Sequence, residues 1–270
     1  MSSFLQNIVT SNKIKAIRKN NKKELLQKLD IVSKLKVPYP LKRYYKNIIP
    51  LNIFQTWHTK NLPEMMQKSV NYIKYSNPAF KYYLYDDDDC RNFIENNYRR
   101  EVLWAFDSLI PGAYKADLWR YCVLYKLGGI YLDIKYKQIN DFKFINLTEK
   151  EHWVLDKDNS GIYNALMVCL PGNEILIKAI NQIVENVRNK FYGSSCLDPT
   201  GPGLLSHYFT SGDKASFDMR HDFYQNFDNR LIYFNNYIVF KCYKNYLNEI
   251  SSTQKVSHYS VLWGARQIYK

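Results

Sequence analysis

Between residues 48 and 134 the chain alternates segments suited to a strand with segments suited to a helix, and this restricts the fold more than any other feature. IIPLNIFQTW (48–57) reads as a buried strand, and the segment from Pro63 to about Tyr75 as a helix with proline in its first turn. FKYYLYD (80–86) is a second strand and DDCRNFIENNY (88–98) a second helix. Helical stretches over 100–108 and 113–127 precede GGIYLD, a third strand. The alternation predicts an α/β fold, a mostly parallel central sheet flanked by helices, with ligands beyond the carboxyl ends of the strands. Trp57, the acidic run Asp86–Asp89 and Asp133 all fall just past such ends. Beyond 150 the pattern changes to strands over 151–156 and 162–170, a helix over 173–189, a TGPG turn (200–203) into a short helix, and a strand pair over 231–243.

A chain of 270 residues, 46% of them hydrophobic, can bury a substantial core. VPYP (37–40) breaks any helix and marks a boundary. The expected organisation is a basic helical N-terminal arm over 1–47 and one α/β domain over 48–270. The net charge of +13 supports this division. Residues 1–48 hold twelve Lys/Arg against Glu24 and Asp30, which places +10 in the arm and leaves +3 elsewhere. A charge run of this kind ordinarily sits in solvent. It also suits an anionic membrane surface or an acidic partner, while nucleic acid is not the expected partner. Five scattered cysteines without a CxxC pair argue against a disulfide framework or zinc ribbon. With no secretory signal at the N-terminus and no run near ~18 apolar residues, a cytoplasmic location is expected.

The helix AYKADLWRYCVLYKL (113–127) places Asp117 and Arg120 at i, i+3 on one face. Alone, such a pair is an ordinary surface ion pair worth a few tenths of a kcal/mol. Leu118, Cys122 and Tyr125 suggest instead that the helix is mostly buried, and it runs through Gly128-Gly129 into the strand ending at Asp133. Two acids and one base thus converge from adjacent elements.

The ordered blocks IPLNIFQTWH (49–58), NPAFKYYLYDDDD (77–89), ADLWRYCVLYKLGGIYLDI (116–134), GIYNALMVCLPGN (161–173), TGPGLL (200–205) and HYSVLW (258–263) resemble the DXD-containing sugar transferases of glycosyltransferase family 32. They are distantly similar to glucosylating toxin domains as well. The resemblance covers about 48–263 and implies a GT-A type nucleotide-sugar-binding fold and retaining glycosyl transfer. Carried over by position, Trp57 lies near the nucleotide base, Asp117 and Arg120 hold the donor sugar, and Tyr131 and Asp133 meet ribose, sugar and metal. Asn164, the Gly201-Pro202-Gly203 turn, His258 and Trp263 surround the donor pocket. An ordinary aromatic core position explains Trp57 and Trp263 equally well. The resemblance further implies Mn²⁺ or Mg²⁺ as cofactor, a hard cation suited to carboxylate oxygens and diphosphate.

Where the family shows Asp-x-Asp, this chain reads Asp133-Ile134-Lys135, and a protonated lysine cannot bind a metal. Three readings stand. Lys135 faces the diphosphate and replaces part of the metal's role, with Lys137 nearby. A metal is held by Asp133, the donor phosphates, water and a C-terminal ligand such as His258, while Lys135 turns away. Or the site has decayed and only binds. The expected function is a retaining glycosyltransferase, a hexosyltransferase moving a sugar from a UDP- or GDP-linked donor to a glycan or protein acceptor. The alternatives are an inactive nucleotide-sugar-binding relative, or a membrane- or nucleic-acid-surface binder acting through the arm. In the acidic run, Asp88 or Asp89 is expected to cap a helix. Asp156 and Asp158 are placed to approach the acceptor.

Overall fold

A computed structural model describes residues 22, 30–157, 161–224, 226–253 and 257–270. Its first half follows the expected alternation closely. Strand β1 (Asn52–Thr56) leads through helix α1 (Glu64–Ser76) to β2 (Lys81–Tyr85). Three helices, α2 (Asp87–Asn97), α3 (Arg100–Ser108) and α4 (Gly112–Leu127), then precede β3 (Gly129–Leu132). A short β4 (Tyr136–Gln138) follows, then β5 (His152–Leu155), β6 (Ile162–Cys169) and helix α5 (Glu174–Arg188). Helices α6 (Pro202–Ser206) and α7 (Ser211–Ala215) lead to a meander of β7 (Met219–Tyr224), β8 (Asn226–Phe234) and β9 (Tyr237–Cys242). Helices α8 (Tyr246–Thr253) and α9 (Tyr259–Gly264) close the chain.

Among the described residues the strands form one sheet in the order β2-β1-β3-β6-β5-β7-β8-β9-β4. The fold is α/β as expected, but the sheet is mixed. β1 is parallel to both β2 and β3, and β5 to β7. β3–β6, β5–β6, β7–β8, β8–β9 and β4–β9 are antiparallel. The expectation of a mostly parallel sheet therefore holds for β1–β3, which helices separate, and for the β5–β7 pair, and fails for the other pairs. The connection from β5 to β6 is too short for a crossover and can only turn back on itself.

The pleat sorts the side chains of the central strands into two layers. Phe54, Tyr131, Met167 and Cys169 pack with α2–α5 on one face. Ile53, Ile130, Leu132, Leu166 and Val168 pack on the other, against Ile73 of α1 and the 3₁₀ turn Phe144–Leu147. Tyr131 thus faces α4, and Asp133, two residues on, continues the same side.

The junction of α4 and β3 needs its two glycines. Gly128 ends the helix at φ 61°, and a Cβ there would lie 2.6 Å from Pro171 Cδ. Gly129 has φ 122°, and a Cβ would lie 2.8 Å from the Asn52 carbonyl oxygen. Only glycine lets the chain turn this tightly from helix into sheet.

Of the arm expected over 1–47, residues 30–47 are mostly exposed and touch the rest of the fold at a few points. Ile31 packs on Leu231, Tyr233 and Ile238. The Tyr39 ring stacks near Phe234 at 5.6 Å, and Lys42 pairs with Glu149. Most of the helices expected over 1–36 lie outside the described residues.

Candidate active site

Helix α4 is buried on nearly all sides through its middle, from Leu118 to Leu124, and Asp117 and Arg120 are drawn inside with it. Desolvating these charges is costly unless their lone pairs and protons find partners, and here they do. The Arg120 guanidinium donates through Nη1 to the Asn164 carbonyl (2.8 Å) and through Nε to the Ala116 carbonyl (3.1 Å). It pairs with Asp133 Oδ1 at 3.2 Å and Asp117 Oδ1 at 3.4 Å, and lies 4.3 Å from the Tyr131 ring centroid. Asp117 accepts from Asn164 Nδ2 (2.9 Å) and the Thr200 hydroxyl (2.7 Å). Tyr121 completes this inner layer, accepting from Asn164 Nδ2 and donating to the Thr200 carbonyl.

Asp133 stands one residue past the end of β3 and opens a tight turn, in which the Tyr136 amide donates to its carbonyl (3.0 Å). Its Oδ1 accepts from the Tyr131 hydroxyl (2.7 Å), and its Oδ2 is paired with Lys135 Nζ. Lys135 is held as well, since its carbonyl accepts from the Tyr243 amide. Its ammonium lies 5.5 Å from the ring centroids of both Tyr136 and Tyr163. Burial would raise the Asp133 carboxyl, but Lys135 and Arg120 together hold it below the ordinary carboxylate range. Burial wins at Asp117, which is raised although Arg120, Thr200 and Asn164 oppose it. Burial would lower the Lys135 ammonium, yet Asp133 keeps it above the ordinary lysine value.

The Arg120, Tyr131, Asp133 and Lys135 part of this cluster faces a cleft of about 640 Å³. Trp57, Arg120, Tyr131, Asp133, Lys135 and His258 all line it. Trp57 is 9% exposed, sits against the His58 ring, and its buried indole N–H has no partner among the described residues. Asp117 and Asn164 stand behind Arg120 and position it without lining the cleft. Trp263 lies away from the lining, its indole N–H donating to the Tyr192 carbonyl at 2.7 Å. Lys137 is a β4 residue paired with Lys241 and lies outside the lining. His258 caps α9 through its ring nitrogen and also lines the cleft.

Other residues join the site without a signal in the spacing. Thr200 reaches Asp117 from 83 positions away. It immediately precedes the Gly201 turn, where a Cβ would come within 3.3 Å of Asp117 Oδ2. In the acidic run, Asp86 caps α2 and forms a capping box with Asp89, which also holds Lys60 at 2.7 Å. Asp87 is the member that lines the cleft.

Asp156 accepts from, or shares a proton with, His221 Nδ1 at 2.9 Å, and Asp158 lies outside the described residues. The His221 ring stacks on Tyr163 at 3.8 Å, and its Nε2 is buried without a hydrogen-bond partner among the described residues. Burial, helped by Lys135 and Arg230, lowers its pKa although Asp156 opposes them. The unfolded chain therefore takes up a proton near the ordinary imidazole value of ~6.5 while the folded chain does not. Stability is expected to fall as pH drops below that value. His221→Gln, which cannot titrate, should show a shallower loss between pH 7.5 and 5.5 in urea denaturation; equal slopes would remove His221 as a contributor.

A DXD-type metal needs free carboxylate oxygens. Both oxygens of Asp133 are engaged by Tyr131, Arg120 and Lys135. Among the described residues no three His, Cys, Asp or Glu side chains are grouped to hold a metal ion. The residues present do not fit a divalent ion bound in the Asp-x-Asp manner.

The chain is similar in sequence to known glycosyltransferases. Residues 63–163 match the family described as "Glycosyltransferase sugar-binding region containing DXD motif". An inositol phosphoceramide mannosyltransferase of Schizosaccharomyces pombe is 31% identical over 160 residues, covering 58% of this chain and 44% of the relative. An initiation-specific α-1,6-mannosyltransferase of Candida albicans is 34% identical over 91 residues, covering 32% of this chain and 24% of the relative. Among solved structures the PaToxG glycosyltransferase superposes with a TM-score of 0.46 at 20% identity, covering 70% of this chain and 76% of that one. The chain thus spans less than half the length of these mannosyltransferase relatives. No helix among the described residues is long and apolar enough to cross a membrane. The region that matches the sugar-transferase family, residues 63–163, includes Asp117, Arg120, Asp133 and Lys135 and covers under half of the chain.

Proposed function

We propose that the protein transfers a hexosyl group, with retention, from a nucleotide-diphosphate sugar to a hydroxyl of a glycan or protein acceptor. The carrying observation is the buried Arg120–Asp133–Lys135 set lining a cleft that Trp57 also lines, with Asp117 behind Arg120. Transfer breaks the bond between the anomeric carbon and the diphosphate oxygen, and the electron pair leaves with that oxygen. The acceptor oxygen forms the new bond and loses its proton. Positive charge develops on the sugar ring and negative charge on the leaving group, so a site needs anions and cations fixed side by side before the reaction starts. Asp133 is suited to face the sugar, and Arg120 to fix Asp133 and Asp117 in place. Trp57 offers an apolar face for the base. The positions proposed to hold the donor are Trp57, Tyr131 and Lys135; Asn164 acts only through Arg120, and Trp263, away from the lining, takes no part.

The relatives' names make mannose the first sugar to test and add inositol phosphoceramide to the acceptors. The pure protein is incubated with UDP- and GDP-sugars, GDP-mannose included, with and without acceptor, and nucleotide release is measured. Release from one donor names it, and the anomeric proton of the product reports retention. A protein that binds a nucleotide but turns over no donor with any acceptor is a binding-only relative. One that binds no nucleotide is not a transferase of this kind.

A further inference from the structure

Resting on the donor reading above, we infer that Lys135 takes the place of the divalent metal, so that the donor diphosphate is bound by a protein cation and binding needs no metal. Exchanging a carboxylate for an ammonium at the third position of Asp-x-Asp shifts the local charge by two positive units, the charge of one divalent ion. The four charged groups Asp117, Arg120, Asp133 and Lys135 then sum to zero without any ion. A site with Asp at 135 would instead carry a surplus of two negative charges, which a divalent cation would have to neutralise.

Geometry points the same way. The turn opened by Asp133 brings Lys135 Nζ onto Asp133 Oδ2 and so occupies a carboxylate oxygen that a metal would otherwise be free to use. The Lys135 side chain is only 14% exposed and still lines the cleft. Its ammonium is fixed by Asp133 on one side and the Tyr136 and Tyr163 rings on the other. A buried ammonium with one carboxylate partner keeps donor capacity for a second anion, because it carries three protons. A lysine holds such an anion as a point charge and needs no coordination geometry.

The test measures binding rather than turnover. UDP and GDP are titrated into the protein by calorimetry, once in EDTA and once in Mn²⁺. The expected result is equal affinity of the wild-type chain for the preferred nucleotide in both conditions. Lys135→Met is expected to weaken binding roughly tenfold or more in both, the loss of one hydrogen bond to a charged group. Lys135→Asp restores the Asp-x-Asp pattern and is expected to bind only in Mn²⁺. Circular dichroism of each variant confirms that it is folded. The wild-type comparison stands without the variants. Wild-type affinity that collapses in EDTA overturns the inference while leaving the donor reading intact, as does a folded Lys135→Met that binds like wild type. Binding of neither nucleotide in either condition removes the donor reading and this inference with it.

Discussion

Asp133→Asn should lose nucleotide-sugar turnover by about 10²–10³ or more, the scale seen when one electrostatic stabiliser is removed from a preorganised site. The substitution keeps the side chain's size, and the Asn oxygen can still accept from the Tyr131 hydroxyl, which now donates at 2.7 Å. What disappears is the negative charge between Arg120 and Lys135. The two cations then repel each other across the floor of the cleft. The charge that would face a sugar carbon turning positive is gone as well. A folding contribution accompanies this loss, but it is moderated by water, because the Asp133 side chain is 20% exposed. Turnover and thermal unfolding are therefore measured on the same preparation. A folded Asp133→Asn protein that releases nucleotide at the wild-type rate would remove Asp133 from the chemistry.

How far the sequence discloses this site depends on the distance over which each contact is made. Helix α4, its exit through Gly128-Gly129, and Asp133 at the strand end are all legible because they depend on neighbours in the chain. Apolar periodicity, a glycine pair and a carboxylate after an apolar run suffice. The i, i+3 spacing of Asp117 and Arg120 is equally local. What it does not disclose is that the pair is buried, with Arg120 only 5% exposed. That follows from α4 packing against α5 and β6, and from Thr200 arriving 83 residues later. Strand direction was partly readable. β1, β2 and β3 are separated by helices and run parallel, whereas the few residues between β5 and β6 exclude a crossover. β4 and β7 carry weak signals, three residues in one case and the polar MRHDFY in the other, and are held by their neighbours rather than by their own pattern. The Asp156–His221 pair joins residues 65 apart and has no local signature. Capping at the acidic run was legible in kind, although Asp86 rather than Asp88 or Asp89 is the cap, with Asp89 closing the box.

The largest effect on stability is expected from Arg120→Met, about 3–5 kcal/mol, the cost of leaving buried charges without their partner. Arg120 is the only residue that pairs with both Asp117 and Asp133 in the described structure, and Lys135 compensates only the second. Methionine fills much of the same volume, so lost packing against Tyr131 accounts for little of the change. The diagnostic comparison is the double variant Arg120→Met, Asp117→Asn. If the cost is electrostatic, removing the uncompensated charge should recover part of the loss, because the amide can still accept from Asn164 or Thr200. The pH dependence has a definite sign too. Without Arg120 the folded-state pKa of Asp117, already raised by burial, rises further. The folded variant then binds a proton more readily than the unfolded chain, and its deficit against wild type should shrink as pH falls. Guanidinium denaturation of the four chains at pH 7.5 and 5.5 gives both readings. A deficit in Arg120→Met below about 1 kcal/mol, the range of an exposed pair, would show that the cluster is solvated and that its charges are not held in advance for a substrate. A full deficit that the double variant does not relieve would assign the loss to packing instead.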